Sequence, residues 1–254
     1  MTDKIKIPLL WLCAFIVLLP MESPGKRVDK EYRKLAQQYG FKLSDRLRFR
    51  GGVFGCRISA GETETELERF FAGLSVLPPD FVRRSGIKKV MICRDLTLNN
   101  QPAGGVVSED CIYLTAGFSA KTVYHELFHV FDTRRNSSKW TKLNNKAFRY
   151  QGNDFYQIYS QRSNRKSRKR KEKAKSFLAD FASSYAQSFE WEDRAETFAH
   201  MLVEKERFFR RTRQSPVLHK KMLYIIDVTT SGRKQLTKEF WAEILGVSVS
   251  ELGK

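Results

Sequence analysis

Three letters at fixed spacing constrain this chain more than anything else in it. The run from Lys121 to Asp132 reads K-T-V-Y-H-E-L-F-H-V-F-D, with His125-Glu126-Leu127-Phe128-His129 at its centre. Residues four apart on a helix lie about 40° apart around the axis and about 6 Å apart along it, so both imidazoles can face one ion. Glu126 flanks the pair, where a carboxylate can reach a metal-bound water. Zinc takes neutral imidazole nitrogens, and with one coordination position left open it brings the pKa of bound water towards neutrality. Val123, Leu127, Phe128, Val130 and Phe131 give this segment the apolar surround of a buried helix. A core helix with two satisfied histidines is the competing reading. It has to place two of the chain's four histidines at this spacing by chance. The run therefore predicts two ligands and a base in one helical turn, and demands a third protein ligand elsewhere.

No histidine follows until His200, so a third imidazole close behind the motif is excluded. Asp132 lies seven residues after His125, on the same helical face but too far along the axis to share the ion. It is suited to orienting a histidine, or to pairing with Arg134 or Arg135. The stronger candidates are Glu192 and Glu196 in Glu192-Asp193-Arg194-Ala195-Glu196, four apart on one face of a segment made apolar by Phe198, Ala199, Met201 and Leu202. One carboxylate can bind the ion while the other accepts the outer N–H of a ligating histidine. Spacing alone leaves open which does which.

H-E-x-x-H followed tens of residues later by E-x-x-A-E resembles the gluzincin metallopeptidases, and in particular the catalytic domain family of anthrax lethal factor. The resemblance covers about Leu77 to Leu202 and is carried by two motifs. It implies His125, His129 and Glu192 as ligands of one zinc ion per chain, Glu126 as general base and Glu196 as the carboxylate behind a histidine. It also implies an oxyanion-stabilising role for Tyr185, seven residues before Glu192, and pairing of a substrate backbone with the strand Cys111 to Leu114. The long insertion and its basic run depart from the family pattern.

Coarse patterning supports such a fold. Val28 to Tyr39 and Thr63 to Leu74 read as amphipathic helices, the first ending at Gly40. Val53 to Ile58, Ile87 to Ile92, Gly104 to Val107 and Cys111 to Leu114 read as strands, with turn signals at Asn99-Asn100 and Ser108-Glu109-Asp110. Ser119 is placed to cap the motif helix. Glu190 to Arg207 and Leu236 to Glu251 read as helices. The expected architecture is α+β and zincin-like. A small mixed sheet has an edge strand packed on the H-E-x-x-H helix, and a helical C-terminal lobe carries the third ligand. Residues 26–254 form a single domain in this reading.

Residues 1–25 read as a signal peptide or an N-terminal membrane anchor. Lys4 and Lys6 precede an uncharged run from Ile7 to Met21, whose roughly 22 Å as a helix falls short of a bilayer core of about 30 Å. The expected location is accordingly exported, or anchored by this segment. Cys13, Cys56, Cys93 and Cys111 contain no C-x-x-C pair and predict free thiols, not a disulfide framework. The net charge is +18, and Arg162 to Lys175 carries +8 of it, from nine Lys/Arg and one Glu. That run is expected to be a mobile, solvated loop, with an acidic surface or polymer as its possible partner. Nucleic acid is disfavoured, because no DNA- or RNA-binding signature accompanies the charge.

The expected activity is peptide-bond hydrolysis with a protein or peptide substrate and zinc as cofactor. Two rivals remain at this level. One is a non-catalytic, zinc-stabilised protein that binds acidic partners. The other is a zinc amidase acting on cell-wall peptides.

Overall fold

The computed structural model describes residues 24–44, 49–132, 138–155, 169, 171–172, 174–231 and 236–253. The expectations for segment 1–23 and for most of the basic run 162–175 fall outside the described residues. Among the described helices, none is long and apolar enough to cross a membrane.

Helix α1 (Pro24–Gln38) leads through Gly40, at φ +83°, into the two-residue strand β1 (Lys42–Leu43). Strand β2 (Val53–Cys56) precedes α2 (Ala60–Leu74), which starts at a reciprocal cap: the Ser59 hydroxyl accepts from the Glu62 amide, and Glu62 accepts from the Ser59 amide. Helix α3 (Pro79–Ser85) opens on a proline and stops at Gly86, at φ +98°. Strand β3 (Lys89–Leu98) follows, then β4 (Gln101–Pro102), β5 (Gly105–Ser108) and β6 (Cys111–Thr115).

The sheet is mixed, with order β1-β3-β6-β5. β3 is parallel to both β1 and β6, β5 is antiparallel to β6, and β2 and β4 pair antiparallel with the far half of β3. Alternation divides the two faces. Val90, Ile112 and Leu114 enter the main apolar cluster beneath the helices, whereas Met91, Cys93, Val106, Cys111 and Tyr113 form a smaller cluster on the other side. Cys93 and Cys111 are buried free thiols, each pushed up to about 11 by burial. Cys56 is also free but exposed, unlike the other two.

One expectation about this sheet is overturned. Cys111 to Leu114 does not offer a free edge, because it is paired with β3 on one side and β5 on the other. Among the described strands, the edge beside the motif helix is β5.

Helix α4 (Ala120–Asp132) carries the motif. Its start is fixed three ways. The Thr122 amide donates to the Ser119 hydroxyl at 3.2 Å, as expected of a cap. The Gly117 amide donates to the Glu66 carboxylate of α2 at 3.0 Å, and the Tyr124 hydroxyl donates to the Gly73 carbonyl at 2.7 Å. After α5 (Ser138–Thr141) and two short 3-10 turns, Leu178–Asp180 and Tyr185–Gln187, comes α6 (Glu190–Glu204). α6 lies along α4, with Phe128 and Phe198 rings 4.8 Å apart and Phe81 packed against Phe131 and Phe198.

The helix expected to run from Glu190 to Arg207 is interrupted at Lys205, whose φ of +51° breaks the ladder before α7 (Glu206–Thr212). Helix α8 (Pro216–Thr230) was not anticipated, although Ser215 caps it and proline opens it. Helix α9 (Lys238–Leu245) ends at Gly246, at φ +67°, short of the expected Glu251. Its Trp241 is fully buried, packs against Phe198, and donates to the Thr229 hydroxyl at 2.9 Å.

Candidate metal centre

Five of the side chains singled out in the sequence meet where α4 crosses α6. His125, Glu126 and His129 come from α4, and Glu192 and Glu196 from α6. His125 Nε2 lies 2.9 Å from Glu192 Oε2, His129 Nε2 lies 3.2 Å from the same oxygen, and the two Nε2 atoms are 3.0 Å apart. Tetrahedral zinc with bonds of about 2.0–2.1 Å places its donor atoms roughly 3.3 Å apart. The triangle of two imidazole nitrogens and one carboxylate oxygen is already near that size and has the donor types that zinc accepts. His125, His129 and Glu192 thus form a group that could hold a metal ion.

Glu196 occupies a different place. Its Oε1 lies 2.9 Å from His125 Nδ1, on the opposite side of the ring from Glu192. Three further side chains converge on this carboxylate. Lys121 Nζ lies 3.0 Å from Oε1, the Ser183 hydroxyl donates to Oε2 at 2.5 Å, and His200 Nε2 stands 3.3 Å from Oε2 without hydrogen-bond geometry. His200 Nδ1 is in turn 2.9 Å from Glu204, which pairs with Arg211. A carboxylate so surrounded fixes both the tautomer and the orientation of the His125 ring.

The electrostatics follow from burial and pairing. Burial opposes the Glu192 charge, but hydrogen bonds to His125 and His129 outweigh it and draw the carboxyl down to about 2. Burial likewise raises the Glu196 carboxyl, and His125 and His200 overturn that and hold it well below the usual range. Burial would push His125 down, but Glu192 and Glu196 lift it to about 10. Glu126 behaves oppositely to the other two carboxylates. Burial pushes its carboxyl up, and the two histidines compensate only in part. Among the described residues its carboxylate has no hydrogen-bond partner.

Two anticipated residues stand differently from the rest. The Tyr185 ring lies 6.0 Å from that of His125, packed between it and Phe155. Asp132 does not reach a histidine: it accepts from Arg194 Nε at 2.5 Å, both side chains being buried. Its contribution is to bind α4 to α6 instead of aligning a ring. Arg134 and Arg135, its expected alternative partners, lie outside the described residues.

Lys121, Ser183, His200 and Trp191 were not singled out in the sequence as parts of this site. Trp191 is 45% exposed, stacks on Phe189 at 4.4 Å, and donates from Nε1 to Glu192 Oε1 at 3.1 Å. Only its adjacency to Glu192 signalled it. His200, four residues after Glu196 on α6, was signalled by helical spacing, whereas Lys121 and Ser183 reach Glu196 across space and left no local pattern.

No protein-family model matches the chain, and no curated protein matches it in sequence. Its structure is similar to a crystal structure from Bacteroides caccae ATCC 43185 described as a "putative zinc-binding metallo-peptidase", with a TM-score of 0.60 over 92% of this chain and 96% of that one. Sequence identity is 12%, so the likeness is one of fold. The chain has an α+β, zincin-like fold, with the motif helix against a mixed sheet and Glu192 on a following helix.

Proposed function

We propose that this chain is a zinc-dependent metallopeptidase of gluzincin type, similar to the lethal factor catalytic domain family in its two motifs. The observation that carries the reading is the convergence of His125 Nε2, His129 Nε2 and Glu192 Oε2 within 3.2 Å of one another, with Glu126 beside them. His125, His129 and Glu192 would hold the ion. When bound, zinc supplies Lewis-acid polarisation of a carbonyl and a water acidic enough to lose a proton near neutral pH.

The chain's own groups do the rest. Glu126 accepts the proton of the attacking water and returns it to the leaving amine, a task suited to a carboxyl whose burial raises its proton affinity. Glu196 holds His125 in one tautomer through Nδ1, and Lys121 and Ser183 hold Glu196. Tyr185 donates its hydroxyl to the developing oxyanion. The outer edge of β5 offers backbone groups to an extended peptide, which makes a peptide or protein the substrate.

Zinc content of the purified chain tests the ligand assignment. Glu192→Ala should abolish zinc binding, whereas Glu196→Ala should weaken it by about 10- to 100-fold, the range for a group behind a ligand. Loss chiefly with Glu196→Ala would exchange the two roles. A wild-type chain that takes up no zinc when it is supplied would sink the enzyme reading altogether.

A further inference from the structure

Gly105, the first residue of β5, faces Glu126. An ideal Cβ built on Gly105 would stand 2.6 Å from Glu126 Cγ, 2.7 Å from Oε1 and 2.9 Å from Cδ, all closer than real Cβ atoms approach. Gly105 has no left-handed φ to explain it. It sits in regular antiparallel register opposite Leu114, a conformation open to any residue. What glycine supplies here is the absence of a side chain.

The neighbouring Gly104 provides the contrast. A Cβ there would meet only Thr122 Cγ2, at an ordinary 3.9 Å. Two adjacent glycines of one chain segment therefore differ sharply: one is pressed against the carboxylate and the other is not.

Glu126 is otherwise poorly restrained. Its carboxylate has no hydrogen-bond partner among the described residues, and it is buried. A carboxylate that no described protein group hydrogen-bonds is placed largely by the walls around it. On the sheet side such a wall is the backbone of β5 at Gly105.

We infer that Gly105 is a positioning residue: its bare backbone sets where the Glu126 carboxylate lies, and any side chain at 105 displaces the base while leaving the metal ligands in place. The catalytic half of this statement rests on the reading of Glu126 given above, but the contact itself does not.

The test is a double-mutant cycle on the zinc-free full-length chain, read as melting temperature. In a strand with ordinary φ, Gly→Ala normally leaves stability unchanged or raises it, because it restricts the unfolded chain. Gly105→Ala should instead lower the melting temperature by a few degrees, through overpacking against Glu126. In a Glu126→Ala background the same change should lose that penalty, since the colliding atoms are gone. Gly104→Ala should show no such coupling. Equal effects of Gly105→Ala in both backgrounds would overturn the contact.

The second readout uses the zinc-loaded chain and a degenerate synthetic peptide library, followed by mass spectrometry. Gly105→Ala should bind as much zinc as wild type yet lose about 100-fold in kcat, the scale of an ångström's misplacement, with KM little changed. Unchanged turnover would overturn the positioning role. A wild type that cuts no peptide, beside an intact stability cycle, would fault the proposed activity and leave Gly105 as the wall against which Glu126 rests.

Discussion

Replacing Glu126 by Gln should abolish peptide hydrolysis, by about 100- to 10,000-fold, the usual contribution of a positioned general base. The amide keeps the shape of the side chain and its place beneath β5. It does not alter His125, His129 or Glu192, so zinc content should equal that of wild type. Stability gives a second signature. Burial raises the Glu126 carboxyl above its unfolded value, so the ionised form is favoured less in the folded chain than in the unfolded one. An acid with a raised folded pKa stabilises least at high pH: stability is lost as pH rises from the unfolded pKa through the folded one. Glu126→Gln removes that loss. The zinc-free variant should therefore melt no lower than wild type at neutral pH, and its advantage should shrink in acid. Retained turnover in the variant would remove Glu126 from the chemistry. A variant that is inactive but also zinc-depleted would show that the substitution had disturbed the ligands instead.

The second large effect is expected away from the metal donors. Lys221 of α8 is wholly buried, with Nζ 2.8 Å from Asp193 Oδ2, 3.0 Å from the Asp180 carbonyl and 3.4 Å from the centre of the Phe181 ring. Asp193 also accepts from Trp140 Nε1 at 2.9 Å and from the Tyr150 hydroxyl at 2.7 Å. Burial pushes the acid up and the lysine down, and mutual contact opposes both shifts.

Asp193→Ala strands a buried ammonium. Removing one partner of such a pair costs about 3–5 kcal/mol, and at about 2–4 °C per kcal/mol this predicts a melting temperature lower by roughly 6–20 °C. Without its counter-charge the folded-state pKa of Lys221 should fall further. The unfolded chain then binds more protons than the folded one up to the free lysine value of about 10.4, so the variant should regain stability as pH rises through this window. Adding Lys221→Met to Asp193→Ala should recover part of the loss at neutral pH, because no charge is then left buried. Thermal melts of the single and double variants across pH would check this. A loss of less than a degree in Asp193→Ala would show that the pair carries no net stability.

Asp193 is also the residue after Glu192, which explains why so much polar structure is buried there. The pair attaches the first turn of α6 to α8 and to Trp140, and thereby fixes the turn from which Glu192 projects.

How much of this was legible in the chain varies with the range of the interaction. His125, Glu126 and His129 could be read because helical geometry alone places them together. Glu192 and Glu196 could be read as a pair for the same reason, and the apolar letters around them argued for burial. Which one meets the Nε2 atoms depends on how α6 is rotated against α4, and that is decided by Phe128, Phe198 and Trp241, residues from three separate segments. The partner of Asp132 was missed because Arg134 and Arg135 are adjacent in sequence, whereas Arg194 lies 62 residues on. Strand existence was legible from alternation, but not neighbour order. Nothing in Cys111 to Leu114 tells that β5 folds back along it. Gly104-Gly105 read as an ordinary strand opening, since the atom that requires a glycine lies on another element.

The separation of the donors has a consequence in polymer terms. His129 and Glu192 are 63 residues apart, so the ion would close a loop of that span, with the α4–α6 contact and the Asp132–Arg194 bridge closing it alongside. Closure entropy grows only logarithmically with contour length, each doubling adding about 0.6 kcal/mol. The chain between the donors can therefore lengthen at little entropic expense, provided Trp140, Tyr150, Ser183 and Tyr185 keep their places. The concentrated charge of Arg162 to Lys175 falls inside that span. A change in the length of that run would therefore cost the closure of the loop little.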